Sequence, residues 1–301
     1  MSKSNKKSYF IRRSRLFLQR NYAVLIALPV VLFAGYYTLC IEPEQLRITE
    51  YTFCHEKVTP QLDGTVIALV TDIHYNTQRC QLWQKAIQAI NRRSGVECIL
   101  LGGDLINGSG KALPASNLLK TFPQLKSRSG VFSIPGNHEY RYRQGGISAI
   151  KRAFAEYDQI FMQDENLIIT TGSGGVFNLT GLDFKVNPHE RKNPSRVKKL
   201  LRKDMLNIVL THTPEDYNYL PSNSHLILAG HTHGGQLHIP FLGSVINPPG
   251  YSRSFSYGEI KQNSNTMFVS CGLGSAYTPA RFCMKPEVVF VTLRSPHKNQ
   301  Q

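Results

Sequence analysis

Five short apolar runs in this chain each stop at a small cluster of Gly, Asp, Asn or His, and that repetition constrains the fold more than any other feature. Thr65–Val70 (TVIALV) leads into Asp72-Ile73-His74, and Cys98–Leu101 (CILL) into Gly102-Gly103-Asp104. Val131–Ile134 leads into Gly136-Asn137-His138-Glu139, Asn207–Leu210 (NIVL) into Thr211-His212-Thr213, and His225–Ala229 (HLILA) into Gly230-His231-Thr232-His233. Runs this short and this apolar read as strands buried on both faces, as in a sheet covered by other layers. Amphipathic stretches supply the helices: Gln81–Arg93 places Leu82, Trp83, Ala86, Ile87 and Ile90 on one face, and Ile147–Tyr157 does the same with Ile147, Ile150 and Phe154. Further strands are expected at Met267–Ser270 and Val288–Leu293. The pattern predicts an α/β architecture of two packed sheets with helices outside. Polar clusters at successive strand ends would then converge at one rim, the usual location of a site in such a layer.

The residues gathered there are metal donors: Asp72, His74, Asp104, Asn137, His212, His231 and His233. In Asp-x-His and His-x-His on extended backbone, residues i and i+2 point the same way, so both side chains can reach one ion or two adjacent ions. Mixed imidazole and carboxylate donors suit manganese, zinc or iron better than magnesium or calcium, which prefer all-oxygen shells. These donors are too many for one tetrahedral ion, and two ions sharing a bridging carboxylate fit the count. Paired ions about 3.5–4 Å apart polarise a phosphoryl oxygen and hold the attacking hydroxide in line. The interspersed glycines let the backbone turn tightly and come close to the site.

In their order, DxH, GD, GNH, H and GHxH, these motifs resemble the calcineurin-like metallophosphoesterase superfamily over roughly Thr65 to Leu293. The resemblance implies a four-layer α-β-β-α sandwich with a dinuclear centre. It assigns Asp72, His74, Asp104 and His233 to one metal and Asp104, Asn137, His212 and His231 to the other, with Asp104 bridging. Manganese is the first expectation, with zinc or iron as alternatives. His138 takes the catalytic role of donating a proton to the leaving group or stabilising phosphoryl charge, which an imidazole can do near neutral pH. One departure is Asn107, where the family often carries an acid; it touches a supporting hydrogen bond and removes no ligand. The extended GHTHGGQLHIPFLG, the later SCGLGSAYTPARF and the apolar N-terminal segment are similar to a membrane-associated bacterial branch. That branch includes phosphodiesterases of unassigned substrate and an enzyme that cleaves UDP-2,3-diacylglucosamine to lipid X and UMP in lipid A biosynthesis. Within Pro240–Tyr257, Phe241 and Phe255 are expected to meet the acyl or membrane side of a lipid substrate, with Arg253 and Arg281 at its phosphate. The alternative is a loop that fills its own small core.

Tyr22–Ile41 (YAVLIALPVVLFAGYYTLCI) carries no charge. At about 1.5 Å per residue it is long enough for a bilayer core of about 30 Å. It exceeds the apolar run of a signal peptide, and no A-x-A site follows it. Pro29 is tolerated in a membrane helix, and Tyr22, Tyr36 and Tyr37 lie toward the ends, where aromatic rings favour the headgroup level. The first 21 residues hold seven basic side chains and no acid, so the positive-inside rule puts the N-terminus in the cytoplasm and the body beyond the membrane. A lipid-linked nucleotide made in the cytoplasm would require the reverse orientation. The expected organisation is a basic tail (1–21), a single-pass transmembrane anchor (22–41), a linker and entry segment (42–64), a phosphoesterase domain (65–294) and a C-terminal tail (295–301).

A net charge of +15, from 35 Lys and Arg against 20 Asp and Glu, points to an anionic partner. Arg141, Arg143, Lys151 and Arg152, and the run from Arg191 to Lys203, read as solvated faces or contacts with anionic headgroups; no basic stretch is interleaved with aromatics, so nucleic acid is not expected. The six cysteines show neither metal spacing nor a disulfide framework. The function expected is a membrane-anchored, dinuclear-metal hydrolase of a phosphodiester or diphosphate, lipid-linked, with the membrane and an anionic phosphate substrate as partners. A nuclease or nucleotide phosphodiesterase and an extracytoplasmic phosphodiesterase of unknown substrate are the alternatives. A non-catalytic scaffold would show broken ligand motifs, and every ligand position is intact.

Overall fold

The apolar runs become strands whose neighbouring residues serve two different cores. In β2 (Val66–Val70), Val66, Ala68 and Val70 enter one cluster while Ile67 and Leu69 enter another, and every residue of the strand is buried. The computed structural model describes residues 21–76, 80–107, 114–142, 145–157, 159–185, 190, 193–239, 241–244, 253–275 and 278–296. The expected basic tail up to residue 20, Arg143, Arg191, Lys192, residues 240 and 245–252, the Arg253 side chain and residues 297–301 lie outside that description.

With β1 at Arg47–Cys54, the strands after β2 are β3 (Val96–Leu101), β4 (Val131–Ser133), β5 (Ile160–Phe161), β6 (Glu165–Thr170), β7 (Val176–Gly181), β8 (Leu206–Leu210), β9 (Leu226–Ala229), β10 (His238–Ile239), β11 (Gly243–Ser244), β12 (Gly258–Gln262), β13 (Asn265–Val269) and β14 (Glu287–Arg294). One sheet has the order β1-β14-β2-β3-β4-β5, the other β12-β13-β9-β8-β7-β6, and β10 and β11 form a separate hairpin. Strands β2 to β5 run parallel, as do β7, β8, β9 and β13. Between the sheets lies a core that includes Leu69, Leu100, Phe132, Phe177, Ile208, Leu228 and Phe268. Helices α2 (Cys80–Arg92), α3 (Ala115–Leu119) and α5 (Gly146–Glu156) cover the outer face of the first sheet. The residues predicted for the inner face of α2 are the five it buries. A short helix α6 (Pro194–Lys198) and the 3-10 turn Pro214–Tyr219 cover the outer face of the second sheet through Val197 and Tyr217. The fold is therefore the expected four-layer α/β sandwich. Its first helical layer is closed at the rim by α4 (Asn137–Tyr140), which starts at the third strand-end cluster.

Residues 42–64, expected as a linker and entry segment, are built into the fold. Strand β1 pairs in parallel with β14 from Arg47↔Glu287 to Cys54↔Arg294, and Phe53, Val58 and Leu62 are buried in the inter-sheet core. As an edge strand β1 alternates half-buried and exposed residues, which is why it looks polar in sequence.

Ahead of it, α1 (residues 21–36) continues through the π turn Tyr37–Ile41 and the 3-10 turn Glu42–Glu44. The whole stretch, Asn21–Glu44, has 24 residues, and its most apolar window, with a mean hydropathy of 2.2, is nowhere buried, so it is long and apolar enough to cross a membrane. Its end is fastened to the domain: the Arg281 N–H donates to Thr38 O at 2.9 Å, and the buried Glu42 carboxylate accepts the Met284 N–H at 2.7 Å. All six cysteines are free.

Candidate metal centre

The five clusters lie at the C-terminal ends of β2, β3, β4, β8 and β9, which share one rim. The backbone there is not the extended chain expected for Asp-x-His and His-x-His. Asp72 (φ 53°), His74 (45°), Asp104 (50°), His231 (72°) and His233 (52°) all occupy the left-handed region. Each such non-glycine residue costs of order 1–3 kcal/mol, and tertiary contacts must hold it there. The holding bonds are visible: Asp72 N–H donates to Gly103 O (2.9 Å), His74 N–H to Asp104 O (3.0 Å), and His231 N–H to Asp72 Oδ2 (2.8 Å). The side chains converge because alternate residues turn back toward the rim. Gly136 is required by close approach, since a Cβ there would lie 2.8 Å from His212 Cε1 and collide with Asp104 Oδ1.

Asp104 occupies the middle. Its Oδ2 is 3.4 Å from His212 Nε2, 3.8 Å from His74 Nε2 and 3.9 Å from His138 Nε2. On one side His233 Nε2 lies 3.2 Å from His74 Nε2 and 3.6 Å from Asp72 Oδ1. On the other, His212 Nε2 lies 3.1 Å from His231 Nδ1 and 3.3 Å from Asn137 Oδ1. All seven expected ligands are thus brought together. Three sets have donor atoms within 4.8 Å of one another: Asp72, His74 and His233; Asp104, His212 and His231; and His74, Asp104 and His138.

The donors fit divalent cations. Burial drives His74 down to about 3 against the pull of Asp104, and burial with His74 and Arg281 nearby drives His233 well below its ordinary value, so both rings are neutral and carry lone pairs. Asp72 Oδ1 is buried without a hydrogen-bond partner. His212 has Nδ1 2.8 Å from Gly102 O, so Nδ1–H donates to that carbonyl and Nε2 is left facing Asp104, the second-contact pattern that orients a ligating imidazole. Burial alone would lower His212, yet the Asp104 charge and hydrogen bond push it up to about 10. Burial would raise Asp104, yet His212, His74 and His138 together hold it well below the carboxylate range, while burial and Asp104 push Asp72 up to about 6. Two buried carboxylates among several imidazoles make a site that gains from positive charge.

Glu139 escaped sequence reasoning. Its buried carboxylate accepts four backbone N–H groups: Gly136 (2.6 Å) and Asp104 (2.9 Å) on Oε2, Leu105 (2.8 Å) and Ile106 (3.3 Å) on Oε1. It clamps the Asp104 loop to the start of α4. Burial and the Asp104 charge push Glu139 up to about 7. The signal available in sequence was a Glu three residues after Gly136 at a helix start, the spacing of a capping box. Asn107 Oδ1 finds no hydrogen-bond partner among the described residues, so Glu139 supports this loop instead.

His138 is buried beside Asp104, whose Oδ1 accepts the His138 N–H at 2.8 Å, and its ring stands edge-on to His74 at 4.6 Å. The expected substrate contacts fare differently. Arg281 cannot meet a phosphate, because it is fully buried and its guanidinium donates to Met284 O (2.7 Å), Cys271 O (3.0 Å), Gly272 O (3.1 Å) and Gly274 O (2.6 Å). It braces the segment whose Leu273 and Gly274 N–H groups bond Thr71 O and Asp72 O. Phe255 packs on Tyr217 against the outer core of the second sheet, which is the space-filling role rather than the lipid-facing one. Phe241 stands fully exposed at the turn between β10 and β11.

Comparison with known proteins agrees with this geometry. Residues 65–235, which hold all seven candidate donors and His138, match the calcineurin-like phosphoesterase family. An uncharacterised metallophosphoesterase of Bacillus subtilis (strain 168), YkuE, is 27% identical over 290 residues, covering 93% of this chain and 97% of the relative. A metallophosphoesterase of Helicobacter pylori (strain J99) is 30% identical over 287 residues, covering 91% and 70%. More distantly, UDP-2,3-diacylglucosamine pyrophosphatase LpxG of Chlamydia trachomatis (serovar D) is 23% identical over 301 residues, covering 82% and 89%. With the motifs, the two-sheet fold and the family match in agreement, the chain belongs to the calcineurin-like phosphoesterases, metal-dependent hydrolases of phosphoric esters.

Proposed function

We propose that this protein is a single-pass membrane-anchored phosphoesterase with two divalent metals, cleaving a lipid-linked phosphodiester or diphosphate. The observation that carries the dinuclear reading is the position of Asp104, whose one oxygen lies between the Asp72–His74–His233 group and the Asn137–His212–His231 group. Asp72, His74, His233 and Asp104 would hold one ion, and Asp104, Asn137, His212 and His231 the other, with manganese the first candidate. Ions bound there supply Lewis acidity toward a phosphoryl oxygen and an attacking water.

The chain's own groups do the rest. His138 Nε2, 3.9 Å from Asp104 Oδ2, passes a proton to the leaving-group oxygen as the phosphorus–oxygen bond breaks. Burial lowers His138, opposed by Asp104 and aided by Arg141 and His212. Glu139 holds the Asp104 loop at fixed height, and Arg281 does so for the segment against Asp72. A lipid-linked substrate is supported by the apolar helix fastened to the domain and by the distant similarity to the Chlamydia UDP-2,3-diacylglucosamine pyrophosphatase.

The test uses the full chain in detergent, stripped of metal and reloaded with manganese, with Asp104→Ala as control. Metal-dependent release of UMP from UDP-2,3-diacylglucosamine would support the lipid diphosphate reading. Turnover of a plain phosphodiester alone would retain the phosphoesterase and discard that substrate. An export-dependent reporter fused to the C-terminus reads the orientation: activity there would place the domain outside the cytoplasm and count against a cytoplasmic nucleotide-linked lipid.

A further inference from the structure

Outside the apolar helix, large exposed apolar side chains among the described residues are single and widely spaced, at Ile48, Ile160 and Ile168, with one exception. At the turn between β10 and β11, Phe241 is fully exposed, Leu242 is 70% exposed and Ile239 is 42% exposed. Scattered apolar residues need no explanation, whereas three within four positions at a hairpin tip form a patch.

The location of that patch suggests its partner. The base of the hairpin is bonded to the segment 278–282: Phe282 N–H donates to Gln236 O (2.9 Å), His238 N–H to Phe282 O (2.8 Å), and the Gln236 side chain to Thr278 O and Ala280 O. That segment and the residues just after it also receive the end of the apolar helix, through Arg281 N–H to Thr38 O and Met284 N–H to Glu42. The hairpin base and the helix end flank one strip of chain, about 10 Å apart at ordinary interstrand spacing. Tyr36 and Tyr37 mark the headgroup level at this end of the helix. From His238 the chain needs three residues to reach Phe241, at most about 10 Å, which is enough to cross a headgroup layer of about 5–8 Å.

We propose that Ile239, Phe241 and Leu242 form a second membrane contact, inserting into the leaflet from which the apolar helix emerges. This rests on residues 21–44 spanning the bilayer. The domain then has two points of attachment instead of one, and the metal centre, whose ligand His233 precedes the hairpin by five residues, faces the headgroup layer. The ligand of the patch is the acyl and glycerol region of a bilayer. The site beside it meets phosphates that remain in the membrane.

The experiment uses the full chain in vesicles of phosphatidylglycerol and phosphatidylcholine, with and without brominated acyl chains. The only tryptophan, Trp83, is fully buried and gives a constant background. Three exposed positions are replaced separately: Leu28→Trp in the apolar helix, Phe241→Trp at the tip, and Ile168→Trp on the edge strand β6. Expected are loss of emission in brominated vesicles for the first two, with a blue shift for Phe241→Trp, and no change for Ile168→Trp. Quenching at position 28 without quenching at 241 overturns the second contact and leaves the span intact. Quenching at neither overturns both. Quenching at all three reports general adsorption and also overturns the proposal.

Discussion

Replacing Arg281 with Met removes a buried cation while nearly conserving volume, and the structure lets the cost be worked out. Four carbonyls, those of Cys271, Gly272, Gly274 and Met284, lose their donor at 2.6–3.1 Å. Hydrogen bonds to a charged group contribute about 1.5–3 kcal/mol each, but removing the guanidinium also removes its burial penalty of several kcal/mol. Four such bonds less that penalty leave a net loss of about 3–5 kcal/mol, because the carbonyls stay buried without a donor. For a domain of this size that lowers Tm by about 6–20 °C. Arg281→Lys, with three donors for four acceptors, should recover part of this. The melt is followed by Trp83 emission in metal-free and metal-loaded protein. Loading should raise Tm less in the variant, because the braced segment also bonds Thr71 and Asp72. An unchanged melt in both states together with a raised KM for a phosphoester would refute the bracing role and return Arg281 to the substrate.

Three further outcomes are expected. His138→Ala should keep its metal content while turnover falls about 10²-fold or more, and unchanged turnover would remove His138 from the mechanism. Gly136→Ala drives a methyl into Asp104 and His212, so metal stoichiometry measured by elemental analysis should fall, and full loading would show that the loop has room. His225 is buried beside His55 (4.7 Å), its Nδ1 accepts the Asn207 N–H, and burial with His55 and Lys57 lowers it from 6.5 to about 4. Between those values the unfolded chain takes up a proton that the folded chain refuses. Stability is therefore fully present above about pH 6.5 and falls toward pH 4, by up to about 3 kcal/mol. His225→Asn, which tolerates the left-handed backbone at that position (φ 52°), should be flatter over this window; an equally steep loss would assign the dependence elsewhere.

What was legible in the sequence was whatever short-range pattern encodes. The inner face of α2 and the buried strands β2, β3, β8 and β9 follow from periodicity, because each segment's neighbours in space are set by its own spacing. The seven donors were legible for the same reason, since each ends a recognisable strand. Their left-handed backbone was not, because Asp and His carry no local signal for it and only tertiary bonds such as His231 N–H to Asp72 sustain it. Strand β1 was hidden by its half-exposed alternation and by a partner far along the chain. Arg281 was misplaced because a cationic side chain in a Gly-rich loop reads as exposed, and nothing nearby in sequence names the carbonyls it serves.

The position of β14 has a consequence for how the chain is assembled. It is the last-made of the described strands, yet it sits between β1 and β2, antiparallel to one and parallel to the other. Until Glu287–Arg294 has emerged, β1 has no neighbour and β2 shows a bare edge, although the apolar helix ahead of them has long been made. Closing a contact that distant is slow, and an open edge is prone to pairing with the wrong chain. During synthesis β1 is thus separated from the rest of the first sheet, and loss of those eight residues would leave a gap inside that sheet rather than a shortened tail.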